Sequence, residues 1–279
     1  VEIKLNLVEN GIFPIVRDIN NNKVSNDTGW GFSGTLQGEG KWSGIPCLFI
    51  RTSGCNLRCI FSNSICDTAY SSFYPEKNIT IIDDILKILD INNQDMRIKH
   101  IVISGGEPTI QVPAIIELCK ELKKKGYIIT IETNATIYNE EFSKYIDLIS
   151  MSPKLKSSVP TSKGCFENKL NVKWIEKHDK SRRNIKVIQS FIDGAHANNN
   201  FFQLKFVVSN EEDILEIKNE WLQYLSNYTN LDIMLMPEGM TEEQLKLNNK
   251  IVAKLATQYG FRFCPRLHVD IFGGAKKGV

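Results

Sequence analysis

The sequence predicts an α/β fold built on parallel strands, either a doubly wound sheet or a barrel, and three observations carry that reading. Short apolar runs alternate with segments of helical period along most of the chain. Strand after strand separated by a helix implies parallel pairing through right-handed crossovers. The 279 residues are 42% hydrophobic and 24% charged, enough for one large globular domain spanning 1–279 with a sizeable core.

The elements follow in order after a polar, Asn-rich stretch at Asp18–Asp27. Cys47–Arg51 reads as a buried strand running into a cysteine loop, Ile79–Leu89 as a helix, Ile101–Ile103 as a strand, and Pro113–Lys125 as an amphipathic helix ending before Gly126. Strands at Tyr127–Glu132, Leu148–Ser152 and Phe202–Val208 follow, with a helix at Glu140–Ile146 between the first two. A helix at Glu211–Tyr224, a strand at Asp232–Met236, a helix at Thr241–Tyr259 and a strand at Arg262–Phe263 complete the series. Pro160–Asn200, rich in Lys, Asn and Ser with one helix near Val172–His178, reads as an insertion or lid.

Charge and composition narrow the function. Lys plus Arg number 34 against 32 Asp plus Glu, so the net charge of +2 gives no electrostatic reason to grip nucleic acid or an anionic membrane. No apolar run is long enough to cross a bilayer, and Val1–Val8 lacks the order of a signal peptide, which predicts a cytoplasmic protein. Seven cysteines in such a setting point to metal or redox work where they cluster. Cys47 and Cys119 read as small buried hydrophobes, Cys264 as a bystander, and Cys165, in the polar stretch, as exposed.

Cys55, Cys59 and Cys66 form a C-x3-C-x6-C loop, close enough to hold one iron–sulfur cube and leave one iron open. The spacing alone equally fits a zinc knuckle completed by His100 or His268. The other unusual words, Ser104-Gly-Gly-Glu-Pro108, Thr133-Asn134, Ser152-Pro-Lys154 and Met236-Pro-Glu-Gly239, all fall at C-terminal ends of expected strands. In parallel α/β folds that edge binds ligands.

Gly54-Cys-Asn-Leu-Arg-Cys59, Cys66-Asp-Thr68 and Gly105-Gly-Glu-Pro108 together resemble the radical S-adenosylmethionine (SAM) superfamily. The resemblance implies a partial TIM-like barrel, here with an N-terminal extension and a polar insertion, and a [4Fe–4S] cluster on Cys55, Cys59 and Cys66 whose open iron takes SAM. The family's usual C-x3-C-x2-C would place the third ligand at Ser62, after the aromatic Phe61. Cys66 is preferred, because a thiolate is the better iron donor and the expected Asp-Thr follows it. Ile65 then stands where the aromatic normally does, which leaves open whether Phe61 or Ile65 covers the adenine.

Within that superfamily the chain resembles the 7-carboxy-7-deazaguanine synthase family, through Leu36-Gln-Gly-Glu-Gly40, Phe49-Ile-Arg51, Glu132-Thr-Asn134, Gln203-Leu-Lys-Phe206 and Pro265-Arg-Leu-His268 as well. This implies conversion of 6-carboxy-5,6,7,8-tetrahydropterin to 7-carboxy-7-deazaguanine with loss of ammonia, on the route to queuosine and related deazapurines. It further implies Mg2+, a flavodoxin or ferredoxin-type electron donor, and a homodimer.

The resemblance assigns roles residue by residue. Leu36, Gln37, Gly38 and Glu39 would meet the pterin, the amide and carboxylate matching its donor and acceptor edge while glycines admit the ring. Arg51, otherwise an ion-pair partner, would hold the substrate carboxylate; Ser104 and His268 would contact substrate, although His268 could equally be packed. Thr68, otherwise a helix cap, would ligate Mg2+. Asp67, Gly105, Gly106, Glu107, Asn134, Ser152, Lys154, Met236, Pro237 and Glu238 would bind SAM, with amides freed at Gly105-Gly106 holding its methionine end and Glu107 either structural or on the amino group. No side chain is assigned as a strongly activated acid or base.

Overall fold

The apolar runs become strands where they are long and β-branched. The computed structural model describes residues 2–61, 64–274 and 277–278. Its strands are β1 (Lys4–Phe13), β2 (Thr35–Leu36), β3 (Pro46–Thr52), β4 (Asn78–Ile81), β5 (His100–Gly105), β6 (Ile128–Thr133), β7 (Leu148–Met151), β8 (Phe201–Val208), β9 (Ile233–Pro237) and β10 (Arg262–Phe263). They form one sheet in the order β10-β9-β8-β7-β6-β5-β3-β1-β4, with β2 paired to β3. From β3 to β10, omitting β4, the neighbours pair in parallel, while β1, β2 and β4 join antiparallel. The sheet has two ends rather than a closing pair, so it is an open, partial barrel.

The helices are α1 (Ala69–Ser72), α2 (Ile82–Asn92), α3 (Val112–Lys124), α4 (Ser162–Glu167), α5 (Lys173–Arg182), α6 (Ile185–Ala197), α7 (Glu211–Glu216), α8 (Glu242–Tyr259) and α9 (Leu267–Phe272). The crossover helices lay one apolar stripe each on the sheet: Ile85 and Leu89 from α2, Ile115, Leu118 and Leu122 from α3, Ile188, Phe191 and Ile192 from α6, all in one core with Ile101, Ile103, Ile129 and Ile131. Each such side chain contributes about 1.5–3 kcal/mol by leaving water. The ends are set locally: Thr241 and Gln244 cap α8 reciprocally, and Gly260 ends it at φ 71°.

The structure departs from the expected elements at five points. β1 is absent from the expected elements; the strand continues across a bulge between Leu7 and Ile12, where Asn10 takes φ 53°. The helix expected from Ile79 begins only at Ile82, because the β-branched Ile79-Thr80-Ile81 pairs with β1. Glu140–Lys144 is a 3-10 turn. Finally, Pro160–Asn200 is not one inserted lid. Its last third is α6, the crossover from β7 to β8, whose apolar i, i+3, i+4, i+7 positions were diluted by polar neighbours. Cys165 is fully buried on α4, not exposed.

Candidate active site

Six of the seven parallel strands deliver residues to one cavity: Arg51 from β3, Ser104 and Gly105 from β5, Glu132 and Thr133 from β6, Ser150 from β7, Lys205 from β8, Met236 and Pro237 from β9. The cysteine loop after β3 forms another wall. Every residue nominated from the sequence lines this cavity except Glu107; Ser62 lies outside the described residues.

The long Cys59–Cys66 gap is closed by a small hairpin. Ile60 and Ile65 pair antiparallel, Phe61 N–H donates to Ser64 O at 2.8 Å, and Cys66 N–H donates to Cys59 O at 3.0 Å. Cys66 is thereby brought back beside Cys59, and both Phe61 and Ile65 lie on the cavity wall. Cys55, Cys59 and Cys66 are free thiols. Burial pushes the Cys55 thiol up to about 12, aided by Glu107, and likewise raises Cys59. Such thiols ionise only when a metal centre takes them. Among the described residues no three His, Cys, Asp or Glu side chains gather to hold a single metal ion. A cube binds each thiolate through a different iron, so ligands need to share a space rather than a point, and this donor set fits a cube. The zinc alternative lacks its fourth ligand: His100 starts β5 at the opposite edge and bonds Thr130 Oγ1 at 2.6 Å, while His268 faces Glu39 at 3.9 Å.

The Gly105-Gly106 turn departs from expectation. The Gly106 and Glu107 amides are spent on Thr52 O (3.2 Å) and Gly54 O (2.8 Å), not freed for a ligand. A Cβ on Gly106 would lie 2.1 Å from Gly54 O and 2.6 Å from Ser71 O, so the glycine exists to let this turn press on the cysteine loop. Glu107 is fully buried and accepts from Thr109 N, Thr109 Oγ1, Thr133 Oγ1 and Asn134 N at 2.6–3.0 Å. It staples β5 to the end of β6 and has no face toward the cavity. Asn134, which does line the cavity, also bonds Asn56 Oδ1 at 2.9 Å and so fixes the cysteine loop.

The glycines of Gln37-Gly-Glu-Gly40 serve packing too. A Cβ on Gly38 would sit 2.1 Å from His268 Nδ1, and one on Gly40 2.2 Å from Gln203 Nε2, so side chains of the protein take the space expected for a ring. Glu39 is held by Lys205 and by Arg266 Nε at 3.0 Å, and Arg266 reaches on to Asp67 at 2.7 Å. Burial would raise Glu39, but Lys205 and Arg266 hold it well below the usual carboxylate range; Arg266 outweighs burial similarly at Asp67. Burial lowers His268, leaving a neutral imidazole near pH 7.

Arg51 stands apart. It is buried, with no hydrogen-bond partner for Nε among the described residues, and its guanidinium lies 5.0 Å from the Phe13 ring, 6.0 Å from Phe49 and 5.9 Å from Tyr70. A buried cation so placed can receive an anion. Thr68 precedes α1 without capping it; its Oγ1 is 3.2 Å from Cys66 Sγ. Lys154 Nζ bonds Ser152 Oγ at 2.8 Å, and Glu238 accepts from Ser209 Oγ at 2.7 Å.

Sequence reasoning passed over Tyr70, Glu132, Lys205 and Arg266. Glu132 accepts from Gln37 Nε2 at 3.3 Å and Ser104 Oγ at 2.7 Å, joining two nominated residues. Three of the four stand inside words that carried the resemblance, so the signal was present but unassigned.

The Radical SAM superfamily model matches residues 49–199. A 7-carboxy-7-deazaguanine synthase of Halobacterium salinarum is 39% identical over 246 residues, covering 86% of this chain and 88% of that protein. One from Rhodopirellula baltica is 34% identical over 240 residues, covering 86% and 84%. The crystal structure of QueE from Escherichia coli has a similar fold, with a TM-score of 0.52 at 20% identity, covering 92% of this chain and 95% of that one. With the cysteine loop, the strand-edge cavity and these relatives in agreement, the chain belongs to the radical SAM superfamily and, within it, to the 7-carboxy-7-deazaguanine synthase family.

Proposed function

We propose that the cavity binds 6-carboxy-5,6,7,8-tetrahydropterin beside SAM and contracts its ring to 7-carboxy-7-deazaguanine, with ammonia leaving, as a step of queuosine-type deazapurine biosynthesis. Cys55, Cys59 and Cys66 would hold the [4Fe–4S] cluster. Bound together, the cluster and SAM supply a carbon radical able to take hydrogen from the substrate.

The chain's own share is binding, orientation and exclusion of water. Arg51 anchors the substrate carboxylate, and Phe13, Phe49 and Tyr70 keep water from that ion pair. Glu39, kept ionised by Lys205 and Arg266, accepts from N–H groups of the pterin edge. Gln37 and Ser104, held by Glu132, complete that edge with Leu36, Gly38 and neutral His268. Thr68 Oγ1 would hold Mg2+ beside the substrate carboxylate.

With the Gly106 and Glu107 amides spent, Gly105 and Gly106 would meet the SAM amino group through carbonyl oxygens. Asn134, Ser152 and Lys154 serve its ribose and carboxylate, Met236–Glu238 its adenine side, and Asp67, Phe61 and Ile65 the flank nearest the hairpin. A flavodoxin or ferredoxin-type donor, a homodimer and a cytoplasmic setting belong to the same reading and rest on the family resemblance. Among the described residues no helix is long and apolar enough to cross a membrane.

The observation that carries this reading is the buried Arg51 in its aromatic enclosure, its Nε without a hydrogen-bond partner among the described residues. Anaerobic binding of tetrahydropterin with and without the 6-carboxylate tests it. Arg51→Met should cost the carboxylated ligand about 3 kcal/mol, over a hundredfold in Kd, and leave the other unchanged. Equal affinity of the parent protein for both ligands would refute the assignment.

A further inference from the structure

The reaction needs one electron from outside, and the surface over the cysteine loop is built unlike the rest of the chain. Between Lys163 and Lys186 stand eight Lys and Arg against three Asp and Glu, a net +5 in a chain whose total is +2, so the remainder carries −3. The side chains of Lys163, Lys169, Lys173 and Lys177 are exposed there. Among them Phe166 is 86% exposed and Val172 60% exposed, an apolar centre with a basic rim.

This surface touches the cysteine loop directly. Gly164 on α4 packs so closely on Ile60 that a Cβ would lie 3.1 Å from its methyl, and Ile60 is part of the hairpin between Cys59 and Cys66. On α5, Trp174 stacks 4.4 Å from the Arg58 guanidinium, which donates to Cys55 O and Leu57 O at 2.7 Å. Lys177 Nζ also lies over the Trp174 ring, 4.2 Å from its centroid. The path from this face to the ligands therefore crosses two side chains at most.

We propose that the α4–α5 face is the docking site of an acidic, low-potential electron-carrier protein, with Phe166 and Val172 as its apolar anchor and the lysines as its steering rim. The proposal rests on the proposed function in one respect, the demand for an external electron. In each transfer the carrier is oxidised by one electron and the cluster reduced by one, and no atom moves. Exposed aromatic and aliphatic side chains at the centre favour a protein over nucleic acid, which would leave them idle.

The test compares the parent holoenzyme with Lys169→Glu/Lys173→Glu/Lys177→Glu and with Phe166→Ser, using a reduced flavodoxin and, separately, dithionite. Flavodoxin binding by the parent should weaken steeply with salt, and the triple variant should bind at least about tenfold more weakly. The KM for flavodoxin should rise in both variants while dithionite-driven turnover stays at the parent level. Parent-like flavodoxin affinity and KM in both variants would overturn the site. So would salt-sensitive binding of RNA, or self-association, that the substitutions abolish while flavodoxin kinetics stay unchanged. Absence of turnover with dithionite in the parent would instead count against the proposed reaction, and the flavodoxin affinities would still decide the docking site.

Discussion

His178, on α5 behind the cysteine loop, should make the protein lose stability in mild acid. Its Nδ1 accepts the Arg58 N–H at 3.1 Å, and its Nε2 is 3.2 Å from Ser158 Oγ, whose own proton goes to Leu155 O at 2.7 Å. This network assigns the neutral ring with hydrogen on Nε2; a second proton on Nδ1 would point at the Arg58 amide. Burial first, then Arg182 and Lys154, lower its pKa from 6.5 to about 4. The unfolded chain therefore takes up the proton first. The stability His178 contributes is complete above pH 6.5 and is lost as pH falls to about 4, an interval worth about 3 kcal/mol.

His178→Asn keeps an acceptor for Arg58 and removes the titration. Urea unfolding of both apoproteins at pH 7 and pH 4 should show the parent losing about 3 kcal/mol more than the variant. His100, also lowered to about 4 by burial, acts alike in both and cancels. Equal losses in parent and variant would refute the assigned ring state.

Other outcomes follow from single contacts. Gly106→Ala drives a Cβ into two backbone oxygens of the cysteine loop region, so iron and sulfide per chain after reconstitution should fall while far-UV circular dichroism is kept; parent-like iron content would reject the close approach. Thr68→Ala should weaken the Mg2+ dependence of turnover and leave the cluster spectrum intact; an unaltered Mg2+ response would remove Thr68 from the metal. Phe191→Ala should lower unfolding free energy by about 3–5 kcal/mol, because α6 is a core crossover and not a lid. A loss below 1 kcal/mol would restore the lid reading.

The parallel sheet was legible because its strands are buried on both faces and so read as unbroken apolar runs such as Ile101-Val-Ile103. β1 and β4 were not, since edge strands carry polar residues and β1 turns on a bulge that resembles a loop. The cavity residues were legible as words at strand ends. What the words could not convey was who spends which hydrogen bond. The Glu39–Arg266 contact joins residues 227 positions apart, and the Gly106 amide looks free until the cysteine loop is folded against it. The Cys59–Cys66 gap is longer than the superfamily's usual spacing; pairing of Ile60 with Ile65, which the words themselves do not reveal, brings Cys66 back beside Cys59.

The most direct measurement is anaerobic incubation of the reconstituted protein with SAM, reductant, Mg2+ and 6-carboxy-5,6,7,8-tetrahydropterin, with products followed by mass spectrometry. The structure's account predicts 7-carboxy-7-deazaguanine and equal ammonia from a brown, iron- and sulfide-containing protein, with SAM not consumed in step with product. A colourless, zinc-containing protein that leaves the pterin unchanged would contradict it.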